Sequence, residues 1–206
     1  MNSSFDLAAI DWAKSDGLVP AIVQDAASLR VLMLGYVNEA ALRQTMASGL
    51  VTFFSRSKQR LWQKGETSGH VLRVRDIRLD CDGDTFLILA DPVGPTCHRG
   101  TRTCFGESDA PDLSVLSDLA ATIRERRHAP ESESYTARLF AEGLTRIAQK
   151  VGEEGVETAL AGATRGANLT SEAADLLYHL LVLLEAADAS LGDVLKVLQA
   201  RAQPKA

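Results

Sequence analysis

Apolar positions in the first half of the chain alternate with polar ones over short runs, whereas in the second half they recur every three to four residues. Residues 18–24 and 29–36 predict two strands joined by the polar turn 25–28, a hairpin. Asn38 is placed to cap a helix to about Ala47, which Gly49 stops. Residues 51–55 read as a strand, 57–69 as a polar, glycine-containing loop, 70–79 as an alternating strand with an irregularity at Asp76, and 86–90 as a short buried strand. Sequential strands with one good helix predict an α+β domain with a mostly antiparallel sheet. From Ser114 the pattern predicts four helices. The first runs from Ser114 to about Arg127. The second starts at Ser134 and passes Ala163, with an interruption near Gly152 or Gly155. The third is capped by Thr170 or Ser171 and ends at Ala187, and the fourth covers 191–201. Short loops between them predict an all-α helical bundle. The acidic, Pro111-containing stretch between the two textures marks a linker at 108–113, so the expected domains are 1–107 and 114–206.

Composition narrows the class. The chain has 206 residues, 46% hydrophobic and 24% charged, a globular balance that excludes disordered and fibrous chains. Residues 1–110 carry 12 basic and 13 acidic side chains, and 111–206 carry 10 and 14. Neither half is basic, so nucleic acid is not an expected partner. The first residues lack a basic region followed by an apolar core, and the longest apolar stretch, 176–184, is broken by His179. A secretory signal and a membrane span are therefore not expected, and the expected location is cytoplasmic. Three cysteines in such a chain favour metal binding or free thiols over disulfides.

The cysteines are Cys81, within DCDGD, and Cys97 and Cys104, within PTCHRGTRTCF. Three thiolates with no evident fourth ligand suit a zinc site with an open position. Three buried cysteines acting as small hydrophobes are the alternative. A zinc ion with three thiolates acidifies water weakly and needs a helper base, for which His98 is the candidate. Asp80, Asp82 and Asp84 stand at i, i+2, i+4; on a strand they share a face opposite Cys81 and call for a cation such as Mg²⁺. A solvated acidic turn is the alternative. The stretch FFSRSKQRLWQKGETSGH brings Arg56, Lys58, Arg60 and Lys64 together with Gly65 and Gly69, which suits phosphate oxygens.

In the helical half, Glu154 and Glu157 are i, i+3, as are Glu172 and Asp175. If their helices pack antiparallel, four carboxylates converge beside an apolar stripe, which is costly without Mg²⁺. Two unrelated acidic faces are the alternative. His179, four residues after Asp175, reads as a supporting residue of that site or a core histidine.

Both halves resemble known families. Through GYVNEAAL, FFSRSKQRLWQKGETSGH, LDCDGD and PTCHRGTRTCF, residues 30–105 resemble phosphoribosyl-AMP cyclohydrolase. Through SYTARLF, KVGEEGVE and EAADLLYHLLVLL, residues 114–203 resemble phosphoribosyl-ATP pyrophosphohydrolase, an all-α nucleoside-triphosphate pyrophosphohydrolase. The order is that of the fused bifunctional enzyme of histidine biosynthesis. Thr103 stands where Ser is common and Gly155 where Ala is common; a mid-helix glycine costs about 1 kcal/mol against Ala. The resemblance implies Zn²⁺ on Cys81, Cys97 and Cys104, with ligands shared between the subunits of a homodimer. It implies Mg²⁺ on Asp80, Asp82 and Asp84, and on Glu154, Glu157, Glu172 and Asp175. The implied substrates are phosphoribosyl-ATP, cleaved to phosphoribosyl-AMP and pyrophosphate, and then phosphoribosyl-AMP, opened at N1–C6 with His98 as helper. Substrate contacts fall on Arg56, Lys58, Arg60, Trp62, Lys64, Gly65, Ser68, His70, Arg99 and Lys150, with Arg102 as a further phosphate candidate. Two rival readings are a general nucleotide pyrophosphohydrolase for the helical half and a purely structural zinc for the other.

Overall fold

A computed structural model describes residues 2–3, 6–106 and 113–202 and divides the chain into two compact units, 1–114 and 115–206. Most of the expected 108–113 linker lies outside the described residues.

The first unit contains β1 (Asn2–Ser3), β2 (Val19–Asp25), β3 (Val31–Val37), α1 (Glu39–Ser48), β4 (Thr52–Ser55), β5 (Arg60–Gln63), β6 (Leu72–Leu79) and β7 (Phe86–Pro92). Single 3₁₀ turns at Leu7–Ala9 and Ala13–Ser15 precede β2. Five strands form one sheet in the order β1-β6-β7-β2-β3, and β4 and β5 form a two-stranded antiparallel ribbon. The expected hairpin is β2–β3, with Val19, Ala21 and Val23 turned into the core. The sheet is mixed rather than mostly antiparallel, because β2 runs parallel to β7 and β1 parallel to β6. Buried residues face buried residues across the β2–β7 pair: Ala21 lies opposite Phe86, and Val23 opposite Ile88. That register explains why β7 reads as a continuous apolar run, since a strand with neighbours on both sides is buried.

Local chemistry sets the other boundaries. The Asn38 side chain accepts from the Ala41 N–H at 2.9 Å to start α1, and Gly49, with φ 72°, ends it. The irregularity expected at Asp76 is a bulge between Val74 and Asp76. Two expectations fail here. The 57–69 stretch is not all loop, because β5 lies within it and pairs Trp62 with Phe53, their rings stacked at 5.7 Å. Residues 80–85 are a turn between β6 and β7 rather than strand, so period-two alternation does not place the three aspartates.

The second unit consists of α2 (Ser114–Arg126), α3 (Tyr135–Glu142), α4 (Leu144–Ala163), α5 (Leu169–Ala186) and α6 (Leu191–Ala202). Its core gathers Ile123, Leu139, Ile147, Leu181 and Val182. There are five helices rather than four. Ser134 caps α3 as expected, accepting from the Ala137 N–H at 3.0 Å. The long predicted helix breaks at Gly143, with φ 90° and ψ 172°, and not at Gly152 or Gly155, which both lie inside α4. A glycine tolerates helical angles at modest cost, whereas the angles at Gly143 are open to glycine alone. α5 begins one residue before the expected caps, with Asn168 at the cap position. Its side chain donates to Glu172 at 2.8 Å instead of capping the backbone. A short turn joins α4 to α5, so the pair is antiparallel. Among the described residues, no helix is long and apolar enough to cross a membrane.

Candidate active sites

In the first unit, the segment after β7 folds back beside the loop between β5 and β6. Together they line a cleft of about 520 Å³. Cys97, Cys104 and His98 come from the first; Lys64, Gly65, Ser68 and His70 come from the second, and Trp62 from β5. Gly65, with φ 82°, lets its backbone approach that of His70 so closely that an added Cβ would lie 2.4 Å from the His70 carbonyl. Lys64 is buried and donates to the same carbonyl at 3.2 Å. Burial lowers the pKa of Lys64.

Cys97 and Cys104 lie within reach of one another and have opposite tendencies. The backbone N–H of Arg99 and the hydroxyl of Thr101 hold the Cys97 thiol below the ordinary range. Burial and the neighbouring Cys97 push Cys104 up. The His98 ring nitrogen lies 3.9 Å from the Cys97 sulfur. Buried Thr96 has a hydroxyl with no hydrogen-bond partner in the cleft wall.

Other expected residues do not line this cleft. Arg56 stacks over the Tyr36 ring at 3.8 Å, and Arg60 pairs with Glu66. Lys58, Arg99 and Arg102 are exposed. Met33, Glu66, Thr67, Pro95, Thr96 and Gly100 line the cleft without having been singled out in the sequence. Gly94, also not foreseen, has φ 75° and packs against the His70 ring; its position before Pro95 is the signal that was available.

Cys81 is exposed and stands apart from this group, on the 80–85 turn. That turn is at one end of β7 and the cleft is at the other, and seven strand residues span about 20 Å. On the turn, carboxylate oxygens of Asp80, Asp82 and Asp84 lie within 4.8 Å of one another. Asp80 closes the turn by accepting from the N–H groups of Asp84 and Thr85, at 3.0 and 3.1 Å.

In the helical unit, Glu154 and Glu157 of α4 and Glu172 of α5 bring their oxygens within 4.8 Å of one another. Asp175, one turn further along α5, is exposed and outside that group. Glu154 is buried, and the Lys150 ammonium 2.7 Å away holds its carboxyl below the usual range. Lys150 also reaches Glu153 at 3.0 Å. His179 is buried at the same level, 3.7 Å from Glu154. Its Nδ1 must donate to the Asp175 carbonyl, 2.9 Å away, because a carbonyl only accepts. Nε2 is then free to accept from the Tyr135 hydroxyl at 3.2 Å. Tyr135 has no part in the sequence expectation beyond its place in SYTARLF.

A thiol-lined cleft in one unit and a carboxylate cluster in the other are two different kinds of hydrolytic site, the plan of a bifunctional hydrolase. The model of the phosphoribosyl-AMP cyclohydrolase family matches residues 33–106, and that of the phosphoribosyl-ATP pyrophosphohydrolase family matches residues 116–202. The histidine biosynthesis bifunctional protein HisIE of Salmonella typhimurium (strain LT2) is 59% identical over 195 residues, 94% of this chain and 96% of that protein. Its namesake in Xanthomonas campestris pv. campestris is 60% identical over 196 residues, 95% and 94% of the two chains. That of Escherichia coli (strain K12) is 56% identical over 195 residues, 94% and 96%. The chain belongs to the family of histidine-biosynthesis bifunctional HisIE proteins, with a cyclohydrolase domain followed by a pyrophosphohydrolase domain.

Proposed function

We propose that domain 114–206 hydrolyses phosphoribosyl-ATP to phosphoribosyl-AMP and pyrophosphate, and that domain 1–107 then opens the adenine ring. The convergence of Glu154, Glu157 and Glu172 carries the first assignment, since three carboxylates beside a buried stripe suit a divalent cation. Asp175 completes the set from the next turn of α5. Mg²⁺ held by these carboxylates would supply positive charge to offset the polyphosphate and a Lewis acid for the attacking water. Lys150 holds Glu154 ionised, and His179, its tautomer set by Asp175 and Tyr135, packs behind that carboxylate. Because Lys150 already bridges Glu153 and Glu154, it orients the Glu154 carboxylate as well as offering charge to phosphate.

The cleft beside Cys97 and Cys104 takes phosphoribosyl-AMP. Its size suits a nucleotide portion, and Lys64, Ser68, His70 and the freed N–H groups around Gly65 suit phosphate and ribose oxygens. Trp62 offers a flat apolar wall. The ring nitrogen of His98 takes the proton from the attacking water, whose oxygen goes to C6 as the C6–N1 bond breaks and N1 gains a proton. Bound Zn²⁺ supplies the Lewis acid for that water. Arg99 and Arg102, exposed after Cys97, and Arg56, Lys58 and Arg60, on the neighbouring ribbon, suit the outer phosphates.

One observation supports a shared arrangement of the zinc ligands. Cys81 lies the length of β7 away from Cys97 and Cys104, too far for one chain to bring all three together. Two copies related by a twofold axis meet the requirement if the turn of one covers the cleft of the other. We therefore read the protein as a cytoplasmic homodimer with shared zinc ligands and with Mg²⁺ on Asp80, Asp82 and Asp84 beside the same site.

The test is complementation. Cys81→Ser and Cys97→Ser are each expected to abolish ring opening and leave pyrophosphate release intact. Mixed subunits of the two regain about a quarter of the wild-type ring-opening sites, because half of a random mixture is mixed dimer and each mixed dimer has one intact site. Absence of recovery in verified mixed dimers would refute sharing.

A further inference from the structure

We propose that Lys14 is a built-in counter-ion of the Asp80–Asp82–Asp84 triad, which a divalent cation must displace in order to bind. The proposal rests on the reading of that triad as the magnesium site of the first domain.

The Lys14 ammonium lies 2.5 Å from Asp82 Oδ2 and 2.6 Å from Asp84 Oδ2. It therefore takes up oxygens of two of the three carboxylates. The ammonium offsets one of the three carboxylate charges, whereas a divalent ion in its place offsets two. The ammonium and the divalent ion repel each other and compete for the same two oxygens.

Lys14 is delivered by the backbone and does not simply drift to the nearest acid. It belongs to the 3₁₀ turn Ala13–Ser15, and its own N–H donates to the Asp11 side chain at 3.0 Å. The Asp11 N–H in turn donates to the Gly83 carbonyl at 2.8 Å, tying this segment to the aspartate turn. Gly83 has φ 78°, and an added Cβ would lie 2.4 Å from the Ala9 carbonyl oxygen. Only glycine at 83 allows the N-terminal segment to close on the turn, so the fold itself carries the lysine to the triad. Cation binding then releases Lys14 and couples metal loading to the N-terminal segment.

The experiment is a Mn²⁺ titration of the full-length, chelator-treated protein, with free Mn²⁺ followed by electron paramagnetic resonance. Repeating it in Glu157→Gln separates the sites of the helical domain. Exposed ion pairs shift an equilibrium by a few fold each, so Lys14→Gln is expected to bind Mn²⁺ at the triad about three- to tenfold more tightly. Lys14→Arg, which keeps the charge, is expected to stay within about twofold of wild type. Unchanged or weaker binding in Lys14→Gln overturns the role of Lys14 and leaves the magnesium reading standing. Asp82→Asn with Asp84→Asn removes one class of Mn²⁺ site if the triad holds the metal. Retention of every class in that double variant overturns the magnesium reading and the role of Lys14 with it.

Discussion

The close approach at Gly65 gives a sharp test of how the cyclohydrolase cleft is held open. Gly65 and Gly69 both have left-handed backbone, with φ of 82° and 75°. Gly69 has nothing within 4 Å of an added Cβ. Gly69→Ala therefore costs only the left-handed strain, about 1–2 kcal/mol. Gly65→Ala adds a clash with the His70 carbonyl carbon and oxygen at 2.4 Å and the Val71 nitrogen at 2.7 Å. These are backbone atoms and cannot rotate away. The His70 segment must shift, which breaks the bond from buried Lys64 to the His70 carbonyl, and a charged hydrogen bond contributes about 1.5–3 kcal/mol. The total for Gly65→Ala is about 3–5 kcal/mol, and a domain of this size loses about 4–8 °C in Tm per kcal/mol. Calorimetry of both variants, with ring opening of supplied phosphoribosyl-AMP followed in the ultraviolet, checks the argument. Gly65→Ala should lose both stability in the first transition and ring opening, with pyrophosphate release retained. Equal effects of the two substitutions would refute the reasoning, because only the approach to His70 distinguishes them.

Two predictions concern the helical domain. Glu157→Gln should lower pyrophosphate release from phosphoribosyl-ATP by about 10²-fold or more while ring opening of supplied phosphoribosyl-AMP stays at the wild-type rate; undiminished release would remove Glu157 from the metal set. At the start of α6, the Ser190 hydroxyl and then Lys196 hold the Asp193 carboxyl down at about 2. A carboxyl depressed on folding adds stability that is present above its unfolded pKa and is lost as pH falls through the folded value. The Tm gap between wild type and Asp193→Asn should therefore be constant near neutrality, shrink below about pH 4 and close near pH 2. A gap independent of pH would show that the side chain acts through something other than its charge.

Elements with local causes were legible in the sequence. Asn38 and Gly49 bound α1, Ser134 opens α3, and the β2–β3 hairpin follows from its alternation. What escaped has non-local causes. The parallel pairing of β2 with β7 joins residues more than sixty positions apart, with α1 and four strands between them, and no local pattern encodes it. β5 escaped because its four residues, Arg60–Gln63, do not alternate; only the pairing with β4, which sets Trp62 opposite Phe53 and Leu61 opposite Phe54, makes it a strand. The helix break fell to Gly143 because what matters is the backbone angle demanded of a glycine, not its presence in an acidic, helical-looking stretch.

The candidate site divides along the same line. Residue types announced the candidates, and the geometry gathers Glu154, Glu157 and Glu172 from two helices, whereas Asp175, the fourth expected member, stays outside the group. For the cysteines, spacing in sequence does not give distance. Cys81 is only sixteen positions before Cys97. Those positions include all of β7, however, and a strand uses its residues to gain distance, about 3.3 Å for each. A helix of the same length would span about half that distance, and a loop could return the chain to its start. It is therefore the extended conformation of β7, required by its central place in the sheet, that puts Cys81 at the far end of the subunit from Cys97 and Cys104, and this separation is the ground for proposing a second subunit in the catalytic unit. If Cys81 were instead a surface thiol with no ligand role, Cys81→Ser would leave ring opening untouched, and the demand for a partner subunit would vanish with it.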